Sequence, residues 1–369
     1  MPGFIDSYGK INTEKGKVVG QIMDKQCTIR DVAKLAGVSV ATASRALGDS
    51  DYPVSPQLRQ RVREAAQALN YVPNTVAKSL RQASCRDVGV VVPNISNPFY
   101  LQAIVGINEV LSEAGYNMIL CNTMHQLDRE RKCLRQLTER QVSGIILSSV
   151  SDDAQGITEY AHRGVRFVML DQKIGGIDCP SIHFDTRAGA KAATKHLIAQ
   201  GHRRIAFAST PVTRWTRMEM LKGYRDALAA AAIAFDESLV YIYDSDGRQQ
   251  EQEQELTAGR SIATNLIEKK MPATAVLCVN DMLAIGLIQT MRKNGVQVPG
   301  DISVVGFDDI PLAEALVPAL TTVRYPAEEI GRLTAMVLLD PMINTMTRTP
   351  LTMNLTPELV CRDTVRDIR

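Results

Sequence analysis

From Val88 onward, seven apolar runs (VGVVVP, YNMILC, GIILSS, RFVMLD, IAFAS, AVLCV and ISVVGF) alternate with amphipathic stretches of helical length. A strand, a helix and a further strand in succession require a crossover connection. The pattern therefore predicts parallel sheets with helices packed on their faces. Seven or more such units over ~280 residues fit two doubly wound α/β lobes better than one sheet. Ligands of such sheets gather beyond the carboxyl ends of the strands, which places them in a cleft between lobes.

The residues ahead of this region follow another rule. In TIRDVAKLAGVSVATASRAL (residues 28–47), Thr28 is an N-cap with Asp31 three residues on, a capping box. Val32, Leu35 and Ala36 keep helical spacing on one apolar face, and Gly37 breaks the helix where a tight turn is needed. Ser39 caps a second helix that turns Ala43 and Leu47 inward and leaves Val40, Ala41, Ser44 and Arg45 outside. A basic, polar-tipped helix after a glycine turn has the geometry that enters a DNA major groove. An ordinary helical hairpin is the alternative reading of this pair alone. Ser55-Pro56 opens a third helix, whose stripe Leu58, Val62, Ala65, Ala66 and Leu69 closes a small core. Residues Asn74–Arg81 form a short amphipathic segment, too short to be helical alone in water, that would order only against something else, such as DNA and a twin chain.

Charge follows the same division. Residues 1–86 carry 13 Lys and Arg against 7 Asp and Glu, a net of +6; the rest carries 29 against 33, a net of −4. A basic head on an acidic body fits a head that meets a polyanion. The seven cysteines (27, 85, 121, 133, 179, 278, 361) include no C-x-x-C pair, so neither disulfides nor structural zinc is expected and a reducing cytoplasm is the natural compartment. No apolar run approaches a membrane span, and the first 25 residues lack the apolar core of a signal peptide. The five histidines (125, 162, 183, 196, 202) stand at no metal spacing, and His196 and His202 read as helix-end residues. There is no P-loop, no G-x-S-x-G and no G-x-G-x-x-G. No enzymatic activity, metal or cofactor is expected.

The chain resembles the LacI–GalR family of bacterial transcription regulators over about residues 27–365, most specifically in TIRDVAKLAGVSVATASRAL, LNYVPNTVAKSLR, GHRRIAF, NDMLAIG and VPGDISVVGFDDIPL. The resemblance implies base reading by Val40, Ala41 and Arg45. Arg45 would take a guanine bidentately, and Val40 and Ala41 offer apolar contact to a thymine methyl. It implies phosphate contacts from Thr28, Ser39, Thr42, Ser44, Tyr71 and Asn74, which position without specifying. It also implies a minor-groove wedge at Leu80, beside Ala77, favoured by a flexible central step such as CpG in a palindromic operator. The implied body is a type I periplasmic-binding-protein fold crossing between lobes near Asp185, Thr322 and Thr345. The expected organisation is a flexible extension (1–26), a helix-turn-helix domain (27–72), a hinge helix and linker (73–86) and an effector-binding and dimerisation domain (87–369). Its N-lobe would take about 87–185 and 324–345, its C-lobe about 186–323 and 346–369.

Several polar or aromatic residues stand where strands end. Asn97-Pro98-Phe99-Tyr100 brings Phe99 and Tyr100 to the cleft, and the resemblance implies effector contacts from Asn280 and Asp308. Asp281 and Asp309 are expected to be structural. Carboxylates and amides at converging strand ends suit the hydroxyls of a sugar-like ligand. The chain departs from the family pattern at two places. Met218 and Met220 occupy the usual slots of a ligand arginine ahead of Gly223-Tyr224, and Arg214 and Arg217 stand close by with Trp215 between them. Either arginine is a candidate effector contact, and Trp215 is a candidate stacking platform or plain packing. The aromatic expected before TAGRS is replaced by GRQQEQEQE (247–255), read as a solvated loop. The expected function is a homodimeric, operator-binding repressor controlled by a sugar-like effector. The alternatives are a nucleoside, purine or sugar-acid effector, two arginines speaking weakly for an anion, and a solute-binding receptor with the same body.

Overall fold

The computed structural model describes residues 27–47, 54–71, 86–150, 154–162, 164–177, 179–244, 254–341 and 351–369. The extension 1–26, the hinge residues Asn74, Ala77 and Leu80, and the 247–255 loop up to residue 253 lie outside them. The chain divides into two units at Ser84/Cys85.

In the first unit, α1 (Ile29–Leu35), α2 (Val40–Leu47) and α3 (Pro56–Ala68) pack around eight buried side chains. The capping box at Thr28 forms: the Asp31 carboxylate accepts from the Thr28 backbone N–H at 2.9 Å and from its hydroxyl at 2.7 Å. Gly37 takes the left-handed conformation, φ 63°, that lets the chain turn into α2. The Ser39 hydroxyl accepts from the Thr42 N–H at 3.1 Å. The core is mostly alanine (Ala33, Ala36, Ala43, Ala46, Ala65 and Ala66, with Val32 and Val62), which lets short helices cross closely. This packing corrects two expectations. Ala33 takes the seam and leaves Leu35 57% exposed, and Ala46 is fully enclosed where Leu47 is only half-buried.

The second unit contains two parallel sheets. The first has the order β11-β5-β4-β3-β1-β2, built from β1 (Asp87–Val92), β2 (Asn117–Asn122), β3 (Gly144–Leu147), β4 (Phe167–Leu170), β5 (Ser181–Phe184) and β11 (Thr352–Leu355). Helices α4 (Pro98–Glu113), α5 (Leu127–Glu139) and α6 (Ala154–His162) connect its strands. The second sheet, of order β7-β6-β8-β9, comprises β6 (Ile205–Ser209), β7 (Val240–Ile242), β8 (Ala275–Cys278) and β9 (Ser303–Val305). With it go α7 (Thr186–Ala199), α8 (Trp215–Ala230), α9 (Gln254–Glu268), α10 (Asp281–Lys293) and α11 (Pro311–Ala315). The doubly wound, two-lobed architecture is therefore present. The strands of these sheets missing from the sequence pattern are β5, whose SIHF interleaves polar side chains although all four residues are buried, three-residue β7, and β11, whose TMNL alternates polar and apolar residues.

The chain passes between lobes three times. Asp185 ends β5 and caps α7 through its carboxylate on the Ala188 N–H at 2.8 Å. Two further crossing segments, β10 (Thr322–Arg324) and β12 (Glu358–Val360), pair antiparallel. Between them α12 (Ala327–Leu339) packs on α4, where a Cβ on Gly106 would overlap the Glu328 carbonyl and one on Gly331 the Ala103 carbonyl. The third crossing differs from the expected position near Thr345. Strand β11 pairs in register with β5, Thr352 opposite Ser181 and Leu355 opposite Phe184, so residues 352–355 belong to the N-lobe. Sheet pairing decides this, because β5 would otherwise leave an unpaired edge. The terminal residues then return to the C-lobe: the Val304 N–H donates to the Thr364 carbonyl and the Ile368 N–H to that of Gln200.

Candidate functional site

Two surfaces carry the residues singled out above. On the head, Val40, Ala41, Ser44 and Arg45 all stand exposed on α2, with Val40 at 42% exposure. Thr28 and Ser39 are exposed, whereas Thr42 and Tyr71 are half-buried. The Thr28 hydroxyl already donates to Asp31, so it cannot also donate to a phosphate without releasing the cap. The Ser39 and Thr42 hydroxyls lie 2.8 Å apart and share one hydrogen between them, which leaves the other free for an acceptor.

The second surface is the cleft between lobes, with about 30 Å³ of room for water-sized molecules. Residues after strands β1, β2, β4, β5, β6, β7 and β9 line it, as expected of a doubly wound sheet pair, and Tyr325 joins them after Thr322–Arg324. Phe99, Tyr100, Arg214, Arg217 and Asp308 all belong to the lining. Arg214 occupies the N-cap position of α8 without capping it, so its guanidinium is free to cross the cleft. There it donates to the Tyr100 hydroxyl (3.3 Å), the Ser148 hydroxyl (3.2 Å) and the Gln172 Oε1 (3.5 Å), all N-lobe groups. Arg217 stays in its own lobe and donates to the Val279 carbonyl at 2.9 Å.

Two residues of the expected set fall elsewhere. Trp215 does not line the cleft; its ring packs edge-on against His183, centroids 4.7 Å apart. Asn280 is enclosed at 1% exposure and spends its Oδ1 capping α10 through the Leu283 N–H at 2.8 Å. Asp281 and Asp309 are structural as read. Asp281 accepts from the Thr322 hydroxyl at 2.6 Å and the Ile310 N–H at 2.9 Å, and Asp309 pairs with Arg324 and Arg362 at 2.8 and 2.7 Å.

The cleft also contains residues that sequence reasoning passed over. Asp171 ends β4 in a left-handed conformation, φ 49°, and is 8% exposed with its Oδ1 unpartnered. The terminal Asp of RFVMLD was the available signal. Glu255 was read as part of a solvated loop but is buried, at 5% exposure. From the C-lobe it accepts from the Asn94 Nδ2 at 3.3 Å and faces His125 Nε2 at 3.6 Å, both N-lobe groups. Nothing in a run of Gln and Glu marks one carboxylate as buried. Glu130, behind the cleft, accepts from the Ser149 hydroxyl and the Val150 N–H, each at 2.7 Å.

Burial controls the electrostatics here. It pushes Asp171 up to about 7 against the pull of Arg214 and Arg217, and Asp308 well above the carboxylate range, with repulsion from Asp281 adding to it. Burial would raise Glu255 too, but the His125 contact, with Arg217 behind it, holds that carboxyl below its ordinary value. Arg217 is lowered by burial and by its neighbour Arg214. Arg214 Nε and Asp171 Oδ1 are both enclosed and unpartnered, one a donor and the other an acceptor.

A pH dependence follows. Between about 4 and 7 native Asp171 holds a proton that the unfolded chain has lost, so its contribution to stability is full at acid pH and declines as pH rises to about 7. Urea unfolding at pH 5.5 and 8 is expected to show Asp171→Asn reducing this decline by ~2 kcal/mol. An unchanged pH slope would remove Asp171 as its source.

Among the described residues no group of three or more His, Cys, Asp or Glu is placed to hold a metal, and no helix is long and apolar enough to cross a membrane. Residues 28–74 match the family model of bacterial regulatory proteins, lacI family, and residues 194–365 that of a periplasmic binding protein-like domain. The HTH-type transcriptional repressor PurR of Photobacterium profundum is 34% identical over 342 residues, covering 92% of this chain and 99% of that protein. The Escherichia coli regulator GalR is 34% identical over 299 residues, covering 81% and 84%. Among solved structures, the lac repressor dimer bound to operator and the anti-inducer ONPF superposes with a TM-score of 0.78 at 25% identity, covering 93% of this chain and all of that one. A complex of the transcriptional regulator CelR with cellobiose gives 0.67 at 30%, covering 92% and 99%. Head, two-lobed body and relatives agree over nearly the whole length, and the chain belongs to the LacI family of DNA-binding transcriptional repressors, which are not enzymes.

Proposed function

We propose that this repressor acts in the cytoplasm as a homodimer on a palindromic operator and is controlled by a sugar-like effector held in the cleft. The observation that carries the effector reading is the pairing of unpartnered polar atoms from opposite lobes, Asp171 Oδ1 and Arg214 Nε, inside a cleft walled by Phe99, Tyr100, Phe307 and Tyr325. A ring with hydroxyls on its edge and an apolar face satisfies both features. CelR, a structural relative, was solved with cellobiose. A second copy of the chain suits the exposed apolar side chains of the N-lobe. Leu101 and Val105 stand one turn apart on α4 at 48% and 56% exposure, and Met336 on the adjoining α12 is at 57%. In the head, Arg45 reads a guanine, Val40 and Ala41 meet a thymine methyl, and Ser39, Thr42, Ser44 and Tyr71 hold phosphates. Effector binding changes the angle between lobes and with it the spacing of the two heads, biasing a two-state equilibrium.

The test begins with a thermal-shift screen of the full chain against neutral sugars, sugar acids, sugar phosphates, nucleosides and purines. A ligand at ~100 times its Kd stabilises by ~2.7 kcal/mol. The expected hit is a neutral sugar that also changes the affinity for a DNA site selected from a random palindromic library. A hit confined to nucleosides or purines would replace the sugar reading, and the four aromatic walls would then hold a base. On the selected site, Arg45→Ala is expected to cost ~1–3 kcal/mol and relax preference at one position of each half-site. Equal weakening on specific and random DNA would remove Arg45 from base reading.

A further inference from the structure

Three N-lobe groups receive the Arg214 guanidinium, and they are held in different ways. Tyr100 belongs to the first turn of α4, whereas Ser148 and Gln172 stand on the segments that leave β3 and β4. The ladder between β3 and β1 reaches as far as Ser148, whose N–H donates to the Val91 carbonyl at 2.9 Å. Beyond that residue the backbone N–H groups need other acceptors. The Ser148 hydroxyl lies 3.2 Å from Arg214 Nη2 and 3.4 Å from the Tyr100 hydroxyl. A side-chain hydrogen bond is lost at about 3.6 Å, so these two bear a displacement of only a few tenths of an ångström. The direction of the chain just past β3 therefore decides whether Ser148 meets Arg214.

That segment is gripped from behind the cleft. Glu130, in the first turn of α5, accepts from the Ser149 hydroxyl through Oε1 and from the Val150 N–H through Oε2, each at 2.7 Å. Glu130 is 2% exposed, Ser149 1%, and Ser148 is fully enclosed, so bulk water cannot replace either bond. Two oxygens on consecutive residues fix position and direction together, where a single bond would leave a pivot. Glu130 itself does not line the cleft. From this arrangement we infer that Glu130 is a positioning residue for the interlobe contact. Holding Ser149 and Val150 from α5, it sets the Ser148 hydroxyl where Arg214 meets it, and so controls closure of the cleft without touching the effector. A purely structural carboxylate would stabilise the N-lobe whether or not Arg214 is present. A positioning one matters for closure only while Arg214 is there. The inference rests on Arg214 holding the lobes together, not on which effector the cleft takes.

Small-angle scattering of the full-length protein reads closure, and Glu130→Ala, Arg214→Met and the double variant form a cycle with the wild type. Glu130→Ala is expected to enlarge the radius of gyration in the same direction as Arg214→Met and by no more. The double variant is expected to match Arg214→Met alone, because the contact that Glu130 serves is already gone. Glu130→Gln is expected to restore wild-type scattering: its Oε1 accepts from the Val150 N–H, and its Nε2 donates to the Ser149 hydroxyl, which can accept as well as donate. The emission of Trp215, the chain's one tryptophan, packed across the lobes on His183, is expected to change with Glu130→Ala and to recover with Glu130→Gln. Should Glu130→Ala fail to fold, Ser149→Ala removes one of the two holds. It is expected to give a smaller increase of the same kind, again absent on the Arg214→Met background. A folded Glu130→Ala, or Ser149→Ala in its place, that scatters like the wild type overturns the inference, as does an effect that adds to that of Arg214→Met. A folded Glu130→Gln as open as Glu130→Ala overturns it too, since the hold is then intact and closure still lost. If Arg214→Met itself leaves the scattering unchanged, the interlobe role of Arg214 fails and the inference falls with it. If Arg214→Met opens the body and Glu130→Ala does not, the inference alone falls.

Discussion

Asp281→Ala is expected to destabilise the body by ~3 kcal/mol or more, measured as the midpoint shift in urea unfolding at constant slope. Asp281 is fully enclosed, and its two oxygens accept from the Thr322 hydroxyl and the Ile310 N–H while its own N–H donates to the Phe307 carbonyl. Truncation leaves two buried donors without an acceptor, each costing about 1–3 kcal/mol, and adds a small cavity. The site matters because Thr322 begins β10, a strand that crosses between lobes, and Ile310 precedes α11. Asp281→Asn should cost clearly less. Burial lifts this carboxyl to about 7, so much of the native population already carries a proton at neutral pH. Like Asp171, the group stabilises most at acid pH and loses that contribution as pH rises to about 7, and the asparagine variant should lose this slope. A cost below ~1 kcal/mol for Asp281→Ala would mean that Thr322 and Ile310 find other partners and that the junction is looser than drawn.

Arg214→Met is expected to weaken effector binding by about a hundredfold and to open the body. The side chain keeps its length but loses its donors to Tyr100, Ser148 and Gln172, the contacts by which the C-lobe holds three N-lobe elements. Hydrogen bonds from a charged donor contribute about 1.5–3 kcal/mol each, and losing even two of them exceeds what a marginal closed state can bear. The second effect is electrostatic. Asp171 and Glu130 both lose an attractive positive neighbour, so both carboxyls shift further toward the protonated form. Small-angle scattering of the unliganded variant should report a larger radius of gyration, and titration with the effector found in the screen should show the loss of affinity. A variant with unchanged scattering and full effector response would show that Arg214 neither closes the cleft nor touches the ligand.

Much of the cleft was legible where strand ends are marked by aromatic or Asx residues: Phe99, Tyr100 and Asp308 stand there and face inward. Arg214 and Arg217 were legible too, because two arginines near a missing one have few places to go. Trp215 and Asn280 stand apart from the other cleft residues for different reasons. Trp215 is the first residue of α8 while Arg214 before it is extended, so the two side chains part and the Trp215 ring falls against His183. Asn280 caps α10 through its Oδ1 and keeps an enclosed Nδ2 without a partner.

Local chemistry in the sequence determined the elements. Capping residues at Thr28, Ser39 and Ser55, the left-handed turn at Gly37 and the alternation of apolar runs depend on neighbours a few positions away, and each is present in the fold. Contacts between residues far apart in the chain were decided only by the tertiary structure. Strand β11 joins the N-lobe because β5 offers it an edge 171 positions earlier, a pairing read from Thr352 opposite Ser181. Glu255 becomes buried because Asn94, 161 positions away, reaches it across the cleft. A short-range pattern encodes turns and periodicity, whereas an interlobe contact is the sum of two folded surfaces meeting, and no stretch of sequence contains both.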